Sequence, residues 1–104
     1  IRLALSKLPL LTGIETLPIS RHLTRGSKSN FDHSASITSF AVNLDPFRKE
    51  FLYDPQTSGG LLIAVAPDRV NSLIEQLKAA GELTAVQIGE VIERKGNLAL
   101  IVEK

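Results

Sequence analysis

The sequence predicts an α+β domain in which helices pack against a mixed β-sheet. The apolar segment Leu61–Ala66 is unbroken and is followed by Pro67, as in a strand buried on both faces. Two more runs of strand-like composition occupy residues 84–94 and 98–103. Between the apolar segment and the run at residues 84–94, apolar residues recur at helical spacing, at Val70, Leu73, Ile74 and Leu77.

Length and composition describe one ordinary globular domain covering residues 1–104. Hydrophobic residues at 43% and charged residues at 22% exclude wholesale disorder. A net charge of +1 provides no electrostatic basis for binding nucleic acid or an anionic membrane, and no apolar run is long enough to cross a bilayer. The absence of cysteine excludes disulfides and thiolate metal sites and fits the reducing cytoplasm.

The first half of the chain has weaker patterns. Residues 1–5 suit a short strand, and apolar residues at helical spacing predict a helix from Pro9 to Leu17 that Pro18 ends. Residues 20–39 have no apolar period, so we expect a long mobile loop there. Residues 40–44 then alternate as in a strand.

The remaining elements have clearer boundaries. Asp45-Pro46 predicts a turn or short helix through Glu50, and the amphipathic helix begins at Pro67-Asp68 and is capped by Gly81. Residues 94–97 predict a hairpin between the last two strands, with a bulge at residues 89–91.

The Gly-Gly loop, residues Asp54–Gly60, precedes the apolar segment and has two interpretations. Glycines 59 and 60 would permit positive φ and close approach, so that backbone N–H groups and the Thr57 and Ser58 hydroxyls could bind an anion such as phosphate. Alternatively, the loop is a tight turn whose polar side chains bond their own backbone. Residue spacing alone favours the turn.

The segment around residues 25–30 is basic and contains Gly26, Ser27, Lys28 and Asn30. It could contact a phosphate or be a solvated loop. His22 and His33 have no partner at a recognised metal spacing, and no serine has a nucleophile-elbow context. We therefore predict no catalytic residue and no metal ligand in this chain.

Four motifs together resemble one enzyme family. Asp-Pro-Gln-Thr-Ser-Gly-Gly-Leu-Leu at residues 54–62 is similar to a motif in the C-terminal domain of the selenide, water dikinases, or selenophosphate synthetases. These belong to the aminoimidazole ribonucleotide synthetase superfamily. Residues 8–13, 26–30 and 88–91 resemble the family's first helix, Gly-rich basic loop and closing Gly-Glu-Val. Ser29 stands where the family commonly has arginine, so one expected phosphate contact is missing.

The resemblance implies a partly ferredoxin-like fold and a role in forming selenophosphate, AMP and phosphate from selenide, ATP and water. The parent enzyme would use ATP, Mg²⁺ and a monovalent cation. Its nucleophile, catalytic lysine and metal-binding aspartates would lie in an N-terminal ATP-binding domain. Because the chain starts at Ile1 and lacks methionine, we interpret it as a C-terminal fragment of that longer enzyme, inactive alone.

The implied parent is a cytoplasmic homodimer in which this domain lines the phosphate side of the cleft between domains. The residues implied to face the phosphates of ATP are Asp54, Gln56, Thr57, Ser58, Gly59, Gly60, Ser27, Lys28 and Asn30. Two alternatives stay open: a scaffold or regulatory module of the same superfamily, and the equivalent domain of a sibling ATP-dependent enzyme.

Overall fold

A computed structural model describes residues 1–18 and 23–104. Its strands and α-helices are, in chain order, β1 (Arg2–Ala4), α1 (Arg25–Ser34), β2 (Thr38–Phe40), α2 (Pro46–Phe51), α3 (Val70–Ala79), β3 (Gly89–Glu90) and β4 (Leu100–Glu103). Short 3-10 turns include Leu5–Lys7, Ile14–Thr16, Ala35–Ile37 and Pro67–Arg69. No helix among the described residues is both long and apolar enough to cross a membrane.

The four strands form one mixed sheet in the order β2-β4-β1-β3. Strand β4 runs parallel to both β1 and β2, whereas β3 runs antiparallel to β1. The sheet and its helices confirm the predicted α+β class. The predicted hairpin between the last two strands is wrong, because β1 lies between β3 and β4. Strand β1, near the N-terminus, pairs with both β3 and β4, in place of the direct β3–β4 pairing that residues 94–97 indicated.

The sheet also brings charged residues together across its strands. Arg2 on β1 bonds Glu90 on β3 at 2.7 Å and lies 3.6 Å from Glu103 on β4. All three side chains are about half exposed, so each pair contributes at most about 1 kcal/mol. The pairs Leu3 with Gly89 and Arg2 with Glu90 are in regular register, so the bulge predicted at this point is wrong.

The core is small. Leu5, Tyr53 and Val102 are the buried apolar residues within the described part of the chain. Leu5 follows β1, and Val102 lies in β4 directly beside Leu3. Helix α2 closes over this end of the sheet, where the Arg48 guanidinium donates to the Leu8 carbonyl at 2.8 Å. The sheet therefore rests on few buried side chains, and each contributes strongly to stability.

Helices α2 and α3 form where the sequence predicts them. Asp45 caps α2 by accepting a hydrogen bond from the Phe47 N–H at 2.9 Å. Gly81 follows α3 with φ of 98°, and its N–H and that of the next residue bond carbonyls in the last turn of the helix. This is a Schellman ending, which confirms the predicted glycine cap. The predicted apolar stripe of α3 is half-buried.

The helix predicted from Pro9 to Leu17 is absent. Gly13 adopts φ of 85°, and only the 3-10 turn Ile14–Thr16 follows it. The Thr16 hydroxyl donates to the Gly13 carbonyl at 2.7 Å. A left-handed glycine in the middle of a short segment interrupts helical bonding, and the apolar spacing alone does not overcome this.

The long loop predicted at residues 20–39 is wrong over residues 25–39, where α1, a 3-10 turn and most of β2 follow one another. Residues 20–22, including His22, lie outside the described residues. The strand predicted at residues 40–44 is shifted: β2 ends at Phe40, Val42 is 87% exposed, and Asn43 turns the chain with φ of 59°.

The apolar segment Leu61–Ala66 is not a buried strand. It pairs with no strand of the described sheet, and Leu61 and Leu62 are 91% and 77% exposed. Its composition favours an extended chain, but a strand becomes buried only when a neighbouring edge accepts its backbone bonds. In the described sheet, neither edge strand, β2 or β3, pairs with this segment.

Candidate functional site

The Gly-Gly loop begins at the end of α2 and is tied down at its base. The Asp54 N–H bonds the Phe51 carbonyl at 3.4 Å, and the Gln56 N–H bonds the Asp54 carbonyl at 2.9 Å. These main-chain bonds form a turn at the start of the loop, whereas the turn interpretation had expected polar side chains to bond their own backbone. After Gln56, the N–H groups of residues 57–65 have no hydrogen-bond partner among the described residues.

Helix α1 holds the base of this loop, and this joins two regions that the sequence analysis placed in one site. The Asn30 side-chain amide donates to the Tyr53 carbonyl at 2.9 Å, next to Asp54. Pro55 packs against Gly26, where a β-carbon would lie 2.7 Å from the proline Cγ. Gly26 therefore allows a close approach that no other residue type would permit without a shift.

The first turn of α1 is stabilised by a capping box. The Thr24 hydroxyl accepts a bond from the Ser27 N–H at 3.1 Å, and the Ser27 hydroxyl lies 3.4 Å from the Thr24 N–H. Ser27 is only 4% exposed, so its hydroxyl serves the cap. The Thr24–Ser27 spacing and the possible Lys28–Asp32 ion pair were the sequence signals for this helix, and apolar periodicity alone missed them.

The predicted site residues on α1 already have partners within the chain. Lys28 bonds Asp32 at 2.8 Å across one helical turn, although its side chain is 77% exposed. Asn30 is committed to the Tyr53 carbonyl, and Ser27 to the cap. The structure thus brings Asn30 to the base of the Gly-Gly loop, whereas Ser27 bonds Thr24 and Lys28 bonds Asp32.

The two glycines of the loop do not need a left-handed backbone, which corrects the sequence interpretation. Positive φ among the described glycines occurs at positions 13, 81 and 96, and not at Gly59 or Gly60. The Gln56 side chain folds over Gly59, where a β-carbon would lie 3.0 Å from Oε1 and 3.2 Å from Cβ of the glutamine. Gly60 has no atom within 4 Å of that position.

Tyr53, next to the loop in sequence, packs its ring against α1 and the sheet. Its ring meets Phe31 of α1 edge-on at 5.2 Å between centroids and lies 6.4 Å from Phe40 of β2. The hydroxyl oxygen is buried and has no hydrogen-bond partner among the described residues. The ring therefore contacts aromatic side chains of both α1 and the sheet.

Burial raises the pKa of Tyr53, and the Glu50 carboxylate adds to the rise. The Ser34 hydroxyl, which donates to the Asn30 carbonyl at 2.8 Å, lowers the pKa of Tyr53 and opposes this rise. The folded protein therefore holds the neutral phenol at pH values where an unfolded tyrosine has begun to ionise.

We expect stability to fall above about pH 10, the pKa of an unfolded tyrosine, and to keep falling until the raised pKa of the folded state is reached. Urea unfolding at about pH 8 and about pH 10.5 checks this loss. Since Tyr53 is the one tyrosine and tryptophan is absent, phenolate absorbance reports its ionisation directly. Tyr53→Phe is the control and should remove this part of the pH dependence; an equal loss in both proteins would contradict the assignment.

The described part of the chain contains two other features to consider, an exposed histidine and an open depression. His33 is exposed on α1, and no group of three or more His, Asp or Glu residues among those described lies close enough to hold a metal ion. An open depression of about 420 Å³ lies between α3 and the segment before β3. It is lined by Lys7, Asn71, Ile74, Lys78, Ala85, Val86 and Gln87, and none of the predicted site residues is among them.

The fold and this site define an α+β domain that presents an exposed polar loop beside a capped helix. Residues 15–101 match the family described as "AIR synthase related protein, C-terminal domain". The chain therefore belongs to this family of AIR synthase related C-terminal domains, which confirms the resemblance drawn from its motifs.

Several relatives are named "Selenide, water dikinase". The one from Agathobacter rectalis is 36% identical over 88 residues, which cover 85% of this chain and 25% of the relative. The one from Pelobacter propionicus is 43% identical over 68 residues, covering 65% and 20%. The one from Carboxydothermus hydrogenoformans is 34% identical over 96 residues, covering 92% and 28%. The chain thus spans roughly a quarter of the length of these relatives. No solved structure matches it.

Proposed function

We propose that this chain is the C-terminal domain of a selenophosphate synthetase and lines the phosphate side of its ATP cleft. The observation that carries the proposal is the Gly-Gly loop, which is fixed at its base and has free N–H donors at its tip. Successive free backbone N–H groups of this kind favour an anion such as phosphate.

The donors present at the loop fit a polyphosphate. Residues 57–60 offer successive N–H groups, and the exposed Thr57 and Ser58 hydroxyls lie beside them. Lys28 is proposed to help from α1, because its exposed ion pair with Asp32 contributes at most about 1 kcal/mol and a phosphate can compete for it. Ser27 and Asn30 are proposed to position the loop, and Gln56 and Asp54 to hold its shape.

The described residues of this chain do not by themselves fit Mg²⁺, since Asp54 stands without two further metal-ligating side chains nearby. We therefore place the metal ligands and the nucleophile in an N-terminal ATP-binding domain, which this domain faces. In this proposal the chain alone is inactive, and the parent is a cytoplasmic homodimer that converts selenide, ATP and water to selenophosphate, AMP and phosphate.

A scaffold role is the second candidate. It is favoured by the internal partners of Ser27, Lys28 and Asn30, which leave fewer free groups at the loop than the motif suggested. In that case the loop packs against the neighbouring domain and touches no nucleotide.

The test compares loop variants of the parent enzyme by their KM for ATP and kcat. We expect Gly60→Val to raise KM or lower kcat, because its side chain would obstruct close approach of the phosphate to the backbone donors. The double variant Thr57→Ala, Ser58→Ala should act in the same direction by removing two hydroxyl donors. Each charge-assisted hydrogen bond lost contributes about 1.5–3 kcal/mol, or roughly tenfold and more in binding. Gly60 is preferred to Gly59 because a side chain at Gly59 would strike Gln56 within the loop.

Ser36→Ala is the matched control, since Ser36 is also an exposed hydroxyl but lies in the 3-10 turn after α1. It should leave both constants unchanged. Unchanged nucleotide kinetics in folded Gly60→Val would favour the scaffold role instead. Selenide-dependent AMP formation by the isolated chain would contradict the proposal that the N-terminal domain supplies the metal ligands and the nucleophile.

A further inference from the structure

The open depression beside α3 is formed where three separate parts of the chain meet. Its first two parts follow β1 and precede β3, and the antiparallel pairing of these strands holds them side by side. The Ala4 N–H bonds the Ile88 carbonyl at 2.9 Å at this point. The third part is one face of α3, where Asn71, Ile74 and Lys78 lie three and four positions apart. The volume of about 420 Å³ is in the range of small-molecule sites, about 300–1,000 Å³.

The lining of the depression is positively charged. Lys7 and Lys78 both line it, and no carboxylate of the described residues does. Neither lysine forms an ion pair with any other described residue, including Glu75, which lies one helical turn from Lys78. Two unpaired cations exceed the net charge of +1 of the whole chain. A concave surface lined by one sign of charge concentrates ions of the opposite sign, so this depression attracts an anion.

The same depression also has an apolar part and oriented amides. Ile74 and Ala85 are half-buried, and Val86 is 46% exposed. The Gln87 side-chain amide donates one N–H to the Gly89 carbonyl at 3.2 Å, which orients the amide and leaves its second N–H for a ligand. Apolar surface with a few fixed polar groups is the usual lining of a small-molecule site.

We propose that this depression binds a small organic anion that carries a carboxylate or a phosphate monoester on an apolar body. The anionic group contacts the Lys7 and Lys78 amines, and the apolar body covers Ile74 and Val86. Lysine is depleted at the buried centres of protein interfaces, so a small ligand suits this lining better than a neighbouring domain does. This inference does not depend on phosphate binding at the Gly-Gly loop or on any activity of the parent.

The first experiment titrates the whole chain with phenylacetate and, separately, with phenyl phosphate, and follows the backbone amides by NMR. We expect at least one of the two probes to cause saturable shifts at Asn71, Lys78 and residues 85–87, and the tighter one identifies the anionic group. Inorganic phosphate lacks the apolar body and benzyl alcohol lacks the charge, so each should bind at least about tenfold more weakly. Shifts confined to other residues, such as 57–60, or equal binding of either control compound would overturn the proposal.

The second experiment removes the two cations. The double variant Lys7→Gln, Lys78→Gln keeps long polar side chains and should weaken binding of the same probe by about tenfold, since each exposed ion pair is worth at most about fivefold. The matched control, Lys95→Gln with Lys104→Gln, removes the same charge from exposed lysines outside the depression. At physiological salt it should change the affinity by less than about twofold. Equal losses in both double variants would mean general charge attraction and no site.

The third experiment places a like charge in the apolar part. Val86→Asp should weaken binding of the anionic probe by at least about tenfold, because the new carboxylate repels it. Val91→Asp makes the same change at a valine that is 73% exposed and outside the depression, and should bind as the unaltered chain does. Equal affinities of these two variants would contradict the site. Loss of binding in the longer parent would show that a neighbouring domain covers the depression, and would also overturn the proposal.

Discussion

Leu5→Ala is expected to lower the free energy of unfolding by about 2–5 kcal/mol. Leu5 is 1% exposed and is one of three buried apolar residues in the described chain. Removing its branched side chain costs the transfer free energy of the lost groups and leaves a cavity, together about 2–5 kcal/mol. Small domains are stable by about 5–15 kcal/mol or less, and a core this small lies toward the low end.

Urea unfolding followed by circular dichroism checks this effect at one fixed protein concentration. Leu83→Ala makes the same chemical change at a leucine that is 80% exposed, and should alter stability by less than about 0.5 kcal/mol. Leu5→Met conserves volume and should cost less than about 1.5 kcal/mol. A Leu5→Ala protein as stable as Leu83→Ala would mean that Leu5 is not part of the core.

Gly89→Ala is expected to separate β3 from β1. A β-carbon at Gly89 would lie far inside van der Waals contact of the Arg2 carbonyl oxygen and 3.1 Å from the Leu3 Cα. These are backbone atoms that cannot rotate away, so the strands must move apart and lose hydrogen bonds. We expect a loss of about 3 kcal/mol or more, at the upper end of overpacking effects.

Hydrogen exchange and urea unfolding together locate the effect of this substitution. The Ala4 N–H, which bonds the Ile88 carbonyl at 2.9 Å, should exchange much faster in the variant. Gly60→Ala is the matched control, since a β-carbon there has no atom within 4 Å and φ is not positive. If both variants were equally stable, close approach at Gly89 would not be the reason for glycine at that position.

The candidate site was only partly predictable from the sequence. The Asp54–Gly60 motif suggested both the loop and the family, and the match over residues 15–101 confirms the family. Its neighbour α1 was predicted as a loop, because Thr24, Ser27 and the Lys28–Asp32 pair stabilise it through polar contacts. The contact of Pro55 with Gly26 joins residues 29 positions apart, and no local pattern indicates it. Asn30 resembled a phosphate ligand but bonds the Tyr53 carbonyl.

The sequence by itself determined the family, the α+β class, and the helices α2 and α3. These depend on local chemistry: Asp45 and Pro46 begin one helix, and the apolar stripe with the Gly81 cap specifies the other. The tertiary structure alone decided strand pairing. Apolar composition makes both Leu61–Ala66 and β4 suitable strands, but only β4 has neighbours, β1 and β2, that accept its backbone bonds. Pairing is a property of two segments far apart in the chain, and for this reason the most apolar run in the protein is exposed.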